Sequence, residues 1–568
     1  MAVNLQGTGQ QRRIAWLVAV FAAIGLVLLG RLVWWQLLPN DELIALSLSD
    51  MDRPNTIPAA RGCILDANGQ YLVASTVQYR VAVSPKLLAP WQREQLTPQV
   101  AAILGLPEAE VAETLARTNT EYAVLGDDYS VWVAQQIEDL DVSAFSLEAR
   151  FRRVYPDGAL AASVVGFVDL QGQPQYGLER YYDRQLRGED GVWRGITDSW
   201  GEPIMMAQGG YRPARDGTDL VSTLDRNVQY AAENILRDGI ERYKAEAGNI
   251  IVMDPRTGAI VAMADYPSYA PGEYWRVESL EQYVNTAVSA LYEPGSVFKP
   301  LTLAAGLEAR VIRPTDSYDD RGEIIVGNQR IRNADRRAHG PTTMTELLAY
   351  SRNVGAAHVA AMLGPTRFYE IIRRFGFGEV TGIDLMHEVP GIMRVPGNPA
   401  WHMSDLGTNA FGQGISVTPI QVVAAYGAIA NDGVLMRPYV VAEVHDGAHV
   451  ERREPFRVRR VLSSEVAQQL VEIMADATAM GMQQATVPGY RLAGKSGTAG
   501  IPDAEGYENA DVIASYVGFG PVPDPRFVIL VRFDKPQRGE WGIEVAAPAF
   551  AEMAKFLVDY YGIPPTAG

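Results

Sequence analysis

An uncharged apolar segment near the N-terminus constrains this chain more than any other feature of its sequence. Residues 14–30 carry no charge, and after Arg31 the apolar run continues to residue 38. As a helix, the segment would extend over roughly 37 Å, which is enough to cross a bilayer. The sequence therefore predicts a transmembrane anchor at 14–38, with a short tail at 1–13 and all further domains on the other side of the membrane.

The charges beside this segment predict its orientation. Arg12 and Arg13 precede it, whereas Asp41 and Glu42 follow it, so the positive-inside rule places the N-terminus in the cytoplasm. A cleavable signal peptide is the alternative, but its apolar part would be shorter and a small-residue cleavage site would follow it. We expect a single-pass protein of the cell membrane whose main domains lie outside the cytoplasm.

Composition excludes several classes of function. The 568 residues predict two or three domains. Acidic residues outnumber basic ones by 67 to 50, giving a net charge of −17 that disfavours a nucleic-acid partner. Cys63 is the only cysteine, which excludes an intramolecular disulfide and a cysteine-based metal site. The six histidines have no ligand-like spacing, so we predict no metal.

Residues 40–215 contain no spacing of side chains that suggests catalysis, and we interpret them as a pedestal domain. Asn68-Gly69 lies between two apolar runs and predicts a hairpin, because both residues tolerate positive φ. Apolar patches predict helices over 86–150. Regularly spaced glycines predict a strand-rich stretch over 151–223.

The sequence pattern changes near residue 216, and 216–568 predict a second domain. A helix is predicted from Leu224 with Asp225 as its N-cap, and Pro255-Arg-Thr-Gly258 predicts a hairpin turn. The remaining elements are a mostly helical middle at 285–480, strands at 514–519 and 527–533, and a final helix at 547–560. Strands at both ends with helices between them predict one mixed α/β unit.

The first pattern with chemical meaning is Ser296-Val-Phe-Lys299, which follows the chain-breaking pair Pro294-Gly295. Three residues apart on a helix, the serine and the lysine would share one face. A serine hydroxyl needs a nearby base to become a nucleophile, and lysine can be made neutral by burial, whereas arginine stays protonated. An ordinary helix start is the alternative interpretation. Lys299 is one of only six lysines in the chain.

The second pattern is Ser351-Arg352-Asn353. Its hydroxyl and amide, two residues apart in a turn, could both face one cavity. By itself the pattern is weak, because serine and asparagine are common caps and turn formers.

The third pattern is Lys495-Ser496-Gly497-Thr498, just before the two late strands. Lys495 and the hydroxyls of Ser496 and Thr498 could bind a carboxylate of a substrate. Gly497 would let another backbone approach closely. Alone, the pattern could also be a glycine-containing edge strand.

Ser-x-x-Lys, Ser-x-Asn and Lys-Ser-Gly in this order are the signature set of penicillin-recognising serine enzymes. From these motifs outward, the chain resembles the class B penicillin-binding proteins, which are monofunctional peptidoglycan transpeptidases. Similar blocks are Arg61-Gly62, Arg153-Val-Tyr-Pro-Asp-Gly158, Gly177-Leu-Glu179, Asp254-Pro-Arg-Thr-Gly258 and Phe411-Gly-Gln-Gly-Ile-Ser-Val-Thr418. The resemblance implies an N-terminal α+β pedestal of dimerisation type at 40–215. It also implies a penicillin-binding transpeptidase fold at 216–568, an antiparallel sheet flanked by helices.

The resemblance also implies roles for the residues that match the family's motifs. Ser296 would attack the penultimate D-Ala carbonyl of a stem peptide, Lys299 would take its proton, and Ser351 and Asn353 would complete the proton relay. The backbone N–H groups of Ser296 and Thr498 would form the oxyanion hole.

In the third motif, the resemblance implies that Lys495, Ser496 and Thr498 hold the terminal carboxylate, with Gly497 in the same substrate-binding strand. An amine of a neighbouring wall strand would resolve the acyl-enzyme, and β-lactams would acylate Ser296. No metal and no cofactor would be needed.

The block from Gly177 to Gly191 favours the division-type branch over the elongation type. Such enzymes act in septal wall synthesis beside a polytopic glycosyltransferase of the shape, elongation, division and sporulation (SEDS) family and other membrane proteins of the division complex. One departure is Ala161-Ala-Ser163, where many relatives carry a histidine. Two alternatives stay open: a β-lactamase or β-lactam sensor of the same superfamily, and a non-catalytic division scaffold.

Overall fold

The computed structural model describes residues 7–36, 55–193, 211–501 and 511–566. The chain divides into two compact units, Met1–Ala59 with Glu189–Arg215, and Ala60–Gly188 with Asp216–Gly568. The boundary at residues 215 and 216 stays a prediction.

The first unit contains the apolar helix that the sequence predicts. Helix α1 (Gly7–Gln36) is long and apolar enough over Arg12–Trp34 to cross a membrane, by length and composition. Residues 37 and 38 of the predicted anchor, together with Asp41 and Glu42, lie outside the described residues. The same unit holds a small antiparallel sheet of β1 (Asn55–Ile57), β8 (Gly191–Trp193) and β9 (Tyr211–Arg212).

The second unit begins with the predicted hairpin, which is confirmed. Strands β2 (Ile64–Leu65) and β3 (Tyr71–Val83) pair antiparallel around a turn in which Gly69 has a φ of +79°. The helices that follow are α2 (Pro90–Leu104), α3 (Glu108–Leu115) and α4 (Val131–Glu138).

The prediction of helices throughout 86–150 is wrong in two places. Ala123–Tyr129 forms β4 and Phe145–Val154 forms β5. Both strands pair with β3, and the β5 pairing runs without a break from Ala74 opposite Val154 to Val83 opposite Phe145. The long partner strand satisfies their backbone hydrogen bonds, so tertiary pairing decides their conformation.

The predicted strand-rich stretch at 151–223 is also partly wrong. Besides the end of β5 and the strands β8 and β9, its regular elements are the helices α5 (Ala162–Val165), α6 (Gly177–Tyr181) and α7 (Asp183–Leu186) and the short strands β6 (Phe167–Val168), β7 (Pro174–Gln175) and β10 (Asp219–Ser222). Gly166 has a φ of +78° and ends α5 rather than separating two strands. Glycine marks both kinds of boundary, so its spacing alone does not distinguish them.

The motif blocks of the pedestal meet in a buried ion-pair cluster. The Glu179 side chain is fully buried and accepts hydrogen bonds from Arg61 Nε and Arg153 Nε, both at 2.6 Å. Arg61 also donates to Asp183 at 2.8 Å. Two arginines share one buried carboxylate, so each charge has a partner in the interior.

The C-terminal part is built on one antiparallel sheet with the strand order β12-β11-β23-β22-β21. Its strands are β11 (Ala247–Met253), β12 (Ile260–Tyr266), β21 (Ala493–Gly500), β22 (Val512–Gly520) and β23 (Phe527–Asp534). The predicted hairpin, both late strands and the union of sequence-distant segments in one sheet are confirmed. Strand β21, which carries the third motif, is an edge strand.

Helices cover both faces of this sheet. Helix α8 (Arg226–Tyr243) begins after Asp225, which caps it as predicted through hydrogen bonds from the backbone of residues 227 and 228. It packs on one face with the final helix α16 (Gly542–Tyr560), which begins earlier than predicted. Helix α14 (Pro419–Ala430) packs on the other face.

The middle of the chain contains short strands as well as the predicted helices. The helices are α9 (Thr286–Ser289), α10 (Lys299–Glu308), α11 (Met344–Ala349), α12 (Asn353–Arg374), α13 (Met403–Asn409) and α15 (Ser464–Gly481). The strands are β13 (Ser317–Asp320), β14 (Glu323–Val326), β15 (Gln329–Arg332), β16 (Gly340–Thr343), β17 (Val434–Met436), β18 (Val441–Asp446), β19 (His449–Arg452) and β20 (Arg457–Arg460). Strands of three to six residues are too short to give a clear alternation, so the sequence did not indicate them.

Candidate active site

The first motif is placed by close backbone packing. Gly295, with a φ of +56°, opens a single 3-10 turn (Gly295–Phe298) that continues into α10 at Lys299. The Gly295 N–H donates to the carbonyl of Gly412 at 3.1 Å. A side chain on Gly412 would lie 2.2 Å from the Gly295 carbonyl oxygen, so only glycine permits this contact. The contact fixes the backbone directly before Ser296.

The structure brings the first two motifs together around one amine. Lys299 is fully buried, and its Nζ lies 3.0 Å from Ser296 Oγ and 2.9 Å from Ser351 Oγ. The same nitrogen lies 2.5 Å from the Ser351 carbonyl oxygen and 2.8 Å from Asn353 Oδ1. The predicted shared face of Ser296 and Lys299 is therefore confirmed, and so is the expectation that Ser351 and Asn353 face one cavity.

These four contacts suit a neutral amine. The Ser351 carbonyl and Asn353 Oδ1 can only accept hydrogen bonds, whereas the two hydroxyls can also donate. A neutral Lys299 has two N–H groups for the two obligate acceptors, which leaves its lone pair for a hydroxyl proton. The arrangement can thus take the proton of Ser296, with Ser351 as a second hydroxyl beside the same nitrogen.

The electrostatic environment favours the same protonation state. Burial lowers the pKa of Lys299 well below its ordinary value, and the nearby cations Lys495 and Arg352 lower it further. The carboxamide of Asn353 is oriented by its other end, because its Nδ2 donates to the Arg332 carbonyl at 3.1 Å. Its oxygen therefore faces the lysine.

The third motif faces this group from the edge strand β21. Lys495 is 1% exposed, and its Nζ donates to the Ser496 carbonyl at 3.0 Å and lies 3.2 Å from Ser496 Oγ. Burial lowers the pKa of Lys495 to about 7. Thr498 Oγ1 accepts a hydrogen bond from the Gly542 N–H at 2.9 Å, so the start of α16 orients this threonine.

Gly497 has the close contact that its place in the motif predicts. A Cβ at this position would lie 2.9 Å from the Pro294 carbonyl oxygen and 2.6 Å from Ser515 Oγ. The backbone before the first motif therefore packs directly on the strand of the third, and this packing brings Ser296 and Thr498 to the same cleft.

A cleft of about 390 Å³ opens above these residues. Ser296, Ser351, Asn353, Lys495, Ser496 and Thr498 line it, whereas Lys299 and Gly497 lie behind its surface. The sequence predicted no role for several other residues that line the cleft, among them Asn333, Asp335, Tyr350, Arg352, Phe411, Gln413, Met482 and Trp541. Tyr350 directly precedes the second motif and Arg352 is its middle residue, whereas Phe411 and Gln413 lie in a family-like block. No spacing pattern marks the other four.

Both parts of the chain match known protein families. Residues 248–555 match the penicillin binding protein transpeptidase domain. Residues 56–222 match the penicillin-binding protein dimerisation domain.

Curated relatives align over almost the whole chain. Stage V sporulation protein D of Bacillus subtilis is 32% identical over 98% of this chain and 86% of the relative. Penicillin-binding protein PbpB of Mycolicibacterium smegmatis is 31% identical over 96% and 89%. The probable peptidoglycan D,D-transpeptidase PbpC of Pseudomonas aeruginosa is 28% identical over 97% and 96%.

Solved structures show the same fold. A peptidoglycan synthetase from Bifidobacterium adolescentis superposes with a TM-score of 0.73 at 27% identity and covers 91% of this chain and 98% of its own. Penicillin binding protein 3 from Mycobacterium tuberculosis, complexed with ampicillin, gives a TM-score of 0.71 at 27% identity, with 90% and 98% covered.

Proposed function

Because the chain belongs to the class B penicillin-binding proteins, which are peptidoglycan D,D-transpeptidases, we propose that it cross-links stem peptides through an acyl-enzyme on Ser296. The contact set of Lys299 carries this proposal. One buried amine touches the hydroxyls of Ser296 and Ser351, and its remaining contacts are obligate acceptors. The arrangement suits a lysine that acts as a base toward the adjacent serine.

In the first half-reaction, Ser296 Oγ attacks the penultimate D-Ala carbonyl carbon while Lys299 Nζ takes the hydroxyl proton. The tetrahedral oxyanion is stabilised by the backbone N–H groups of Ser296 and Thr498. When the peptide bond breaks, the departing D-Ala amine receives a proton from Lys299 by way of the Ser351 hydroxyl. The product is an ester between Ser296 and the stem peptide.

In the second half-reaction, an amine of a neighbouring stem peptide attacks the ester carbonyl and loses a proton to Lys299. Breaking the ester returns the proton to Ser296 Oγ, and the new amide is the cross-link. The order of proton transfers is the reverse of the first half-reaction, so the same base serves both. No step uses a metal or a cofactor.

The third motif is proposed to hold the terminal carboxylate of the donor peptide. Lys495, Ser496 and Thr498 offer one ammonium and two hydroxyls on one strand edge. With a pKa near 7 in the free protein, Lys495 is only partly protonated at neutral pH. A bound carboxylate would favour its charged form, so binding and protonation of Lys495 would be coupled.

The orientation in the membrane and the cellular role belong to the same proposal. Arg12 and Arg13 at the start of the apolar span support a cytoplasmic N-terminus and an extracytoplasmic active site. The pedestal block from Gly177 to Gly191 supports a role in septal wall synthesis. The proposed partners are a polytopic SEDS-type glycosyltransferase and other membrane proteins of the division complex.

Labelling with a fluorescent penicillin tests the chemistry and the location together. Wild-type protein should form a long-lived adduct, Ser296→Ala should form none, and Ser317→Ala, at an exposed position on β13, should label like the wild type. In growing cells the label should concentrate at the septum.

Three results would change the proposal. Rapid hydrolysis of the penicillin would indicate a β-lactamase. Full support of growth by Ser296→Ala would indicate a scaffold. Label spread along the side wall would indicate an elongation role.

A further inference from the structure

The turn that carries the second motif is held from outside by a neighbouring stretch of chain. This stretch, residues 332–339, consists of the last residue of β15 and the link to β16, and we refer to it as the clamp segment. Asn353 Nδ2 donates to the Arg332 carbonyl at 3.1 Å, and the Val354 N–H donates to Asn333 Oδ1 at 3.1 Å. The first two residues of α12 are therefore both hydrogen-bonded to the clamp segment.

The turn needs this support for two reasons. Ser351 has a φ of +57°, which is a costly backbone conformation for a residue other than glycine. Helix α12 also begins after Arg352, whose side chain makes no capping hydrogen bond. Asn333 supplies the missing acceptor, because its Oδ1 receives the N–H of Val354.

Asn333 is itself held in the interior. Its Nδ2 donates to both carboxylate oxygens of Asp320, at 2.8 and 2.9 Å, and Asp320 is 1% exposed. These buried contacts hold the Asn333 side chain in the position where it caps α12.

A further contact is an ion pair at the wall of the cleft. Arg352 Nη1 donates to Asp335 Oδ2 at 2.7 Å, and the guanidinium carbon lies 5.4 Å from the centre of the Tyr350 ring. The Arg352 side chain is 14% exposed. Asp335 is oriented in turn by His339 Nε2 at 2.8 Å and by the Arg337 N–H at 3.1 Å. These contacts hold the Arg352 guanidinium beside the turn whose residues Ser351 and Asn353 contact Lys299.

We propose that the clamp segment acts through Asp335 and Arg352 as a positioning pair, which keeps the Ser351 turn in place and keeps a fixed positive charge next to Lys299. This inference rests on the proposed function, because it concerns Lys299, the base of the same site. The charged and titratable groups around this point are Lys495 on β21, Arg352 and Tyr350 at the turn, Asp335 and His339 on the clamp segment, Glu346 on α11, and Tyr318 and Asp320 on β13. None of the four hydrogen-bond partners of Lys299 carries a negative charge.

The two members of the pair should have different effects on the pH profile of acylation. Acylation requires neutral Lys299, so its rate rises as pH rises through the pKa of that amine. Loss of the Lys495 charge, whose pKa is about 7, gives a separate falling limb on the alkaline side, and the variants are compared on the rising limb. Arg352→Gln removes a nearby cation and should move this limb to higher pH, because the protonated amine loses a repulsive neighbour. Asp335→Asn leaves Arg352 charged and removes its counter-ion, so the limb should stay in place or move to lower pH.

The experiment measures the rate of acylation of the full-length protein by a fluorescent penicillin between pH 5 and 9. We expect Arg352→Gln and Asp335→Asn to lower the plateau rate by about tenfold to a hundredfold, because a turn displaced by about 1 Å misaligns the base. Arg352→Lys should keep the wild-type limb and lower only the plateau. Asp319→Asn is the matched control, because Asp319 forms an exposed 2.9 Å pair with Arg321 close by in sequence.

Rates are normalised to the fraction of protein that labels at completion. The pH dependence of the acylation rate can therefore be measured even for a variant that is partly unfolded. The proposal is overturned if Arg352→Gln keeps the wild-type limb, or if Asp335→Asn slows acylation no more than Asp319→Asn does. Failure of the proposed function would be distinct, since the wild type would then not label at all or Ser296→Ala would label equally.

Discussion

The buried Lys495 should lower the stability of the protein at neutral pH, and its removal should therefore stabilise the fold. The pKa of Lys495 falls from 10.5 to about 7 on burial. Below pH 7 both the folded and the unfolded chain bind the proton, whereas between pH 7 and 10.5 only the unfolded chain does. The free energy of unfolding therefore rises with pH across this window. Each pKa unit is worth about 1.4 kcal/mol, so the cost at pH 7 is on the order of 4 kcal/mol.

Lys495→Met keeps the length of the side chain and removes the titration. The variant should exceed the wild type in free energy of unfolding by up to about 4 kcal/mol at pH 7, and the difference should shrink by about 1.4 kcal/mol per pH unit until it vanishes near pH 10.5. Urea unfolding of the full chain in detergent micelles, followed by tryptophan fluorescence at pH 7, 8, 9 and 10, measures this difference.

The matched control is Lys555→Met, because the Lys555 side chain is 67% exposed. It should change the free energy of unfolding by less than about 0.5 kcal/mol at each pH. A difference for Lys495→Met that does not depend on pH would refute the reasoning, since it would mean that Lys495 keeps its proton in the folded state. The stabilised variant should also acylate slowly, because it lacks the cation of the third motif.

Further changes test other parts of the structure. Lys299→Arg should lower the rate of penicillin acylation by about 10²- to 10⁴-fold, because a guanidinium stays protonated and cannot act as a base. Asp384→Ala should lower the free energy of unfolding by about 3 kcal/mol in urea titrations, because Asp384 is 1% exposed and its loss leaves Tyr182 Oη and two backbone N–H groups without their acceptor. Tyr182→Phe, which removes one of these bonds, should cost about 1 kcal/mol. Gly412→Ala should slow acylation more than tenfold in a labelling time course, because its Cβ would meet the Gly295 carbonyl oxygen at 2.2 Å. Wild-type acylation of Lys299→Arg or Gly412→Ala, or wild-type stability of Asp384→Ala, would contradict the corresponding argument.

Much of the fold followed from local patterns in the sequence. The apolar helix at the N-terminus, the Asn68-Gly69 hairpin, the cap at Asp225 and the two late strands all depend on neighbouring residues, and the structure confirms each of them. The strands at 123–129 and 145–154 did not follow, because they are held by hydrogen bonds to a strand far away in sequence. Local propensity carries no information about such a partner.

The residues of the candidate site also fall into two groups: those that a local sequence pattern marks and those that only a tertiary contact brings to the site. The serine, lysine and asparagine of the three motifs could be found because the chemistry of acyl transfer needs these residue types at fixed short spacings. Asp335 could not be found, since its role depends on a contact with Arg352 across a turn. The same holds for Trp541 and Met482, which reach the cleft only through the packing of α16 and α15.

The sequence by itself determined which groups this protein brings to its chemistry: a hydroxyl and an amine one helical turn apart, a second hydroxyl with an amide, and a lysine on a glycine-containing strand. Only the tertiary structure decided the state of those groups. Lys299 and Lys495 are buried where three segments meet, and close contacts at Gly295, Gly412 and Gly497 join these segments. The protonation of a lysine depends on how much water and charge surround it, and those surroundings are assembled from segments that are far apart in the chain.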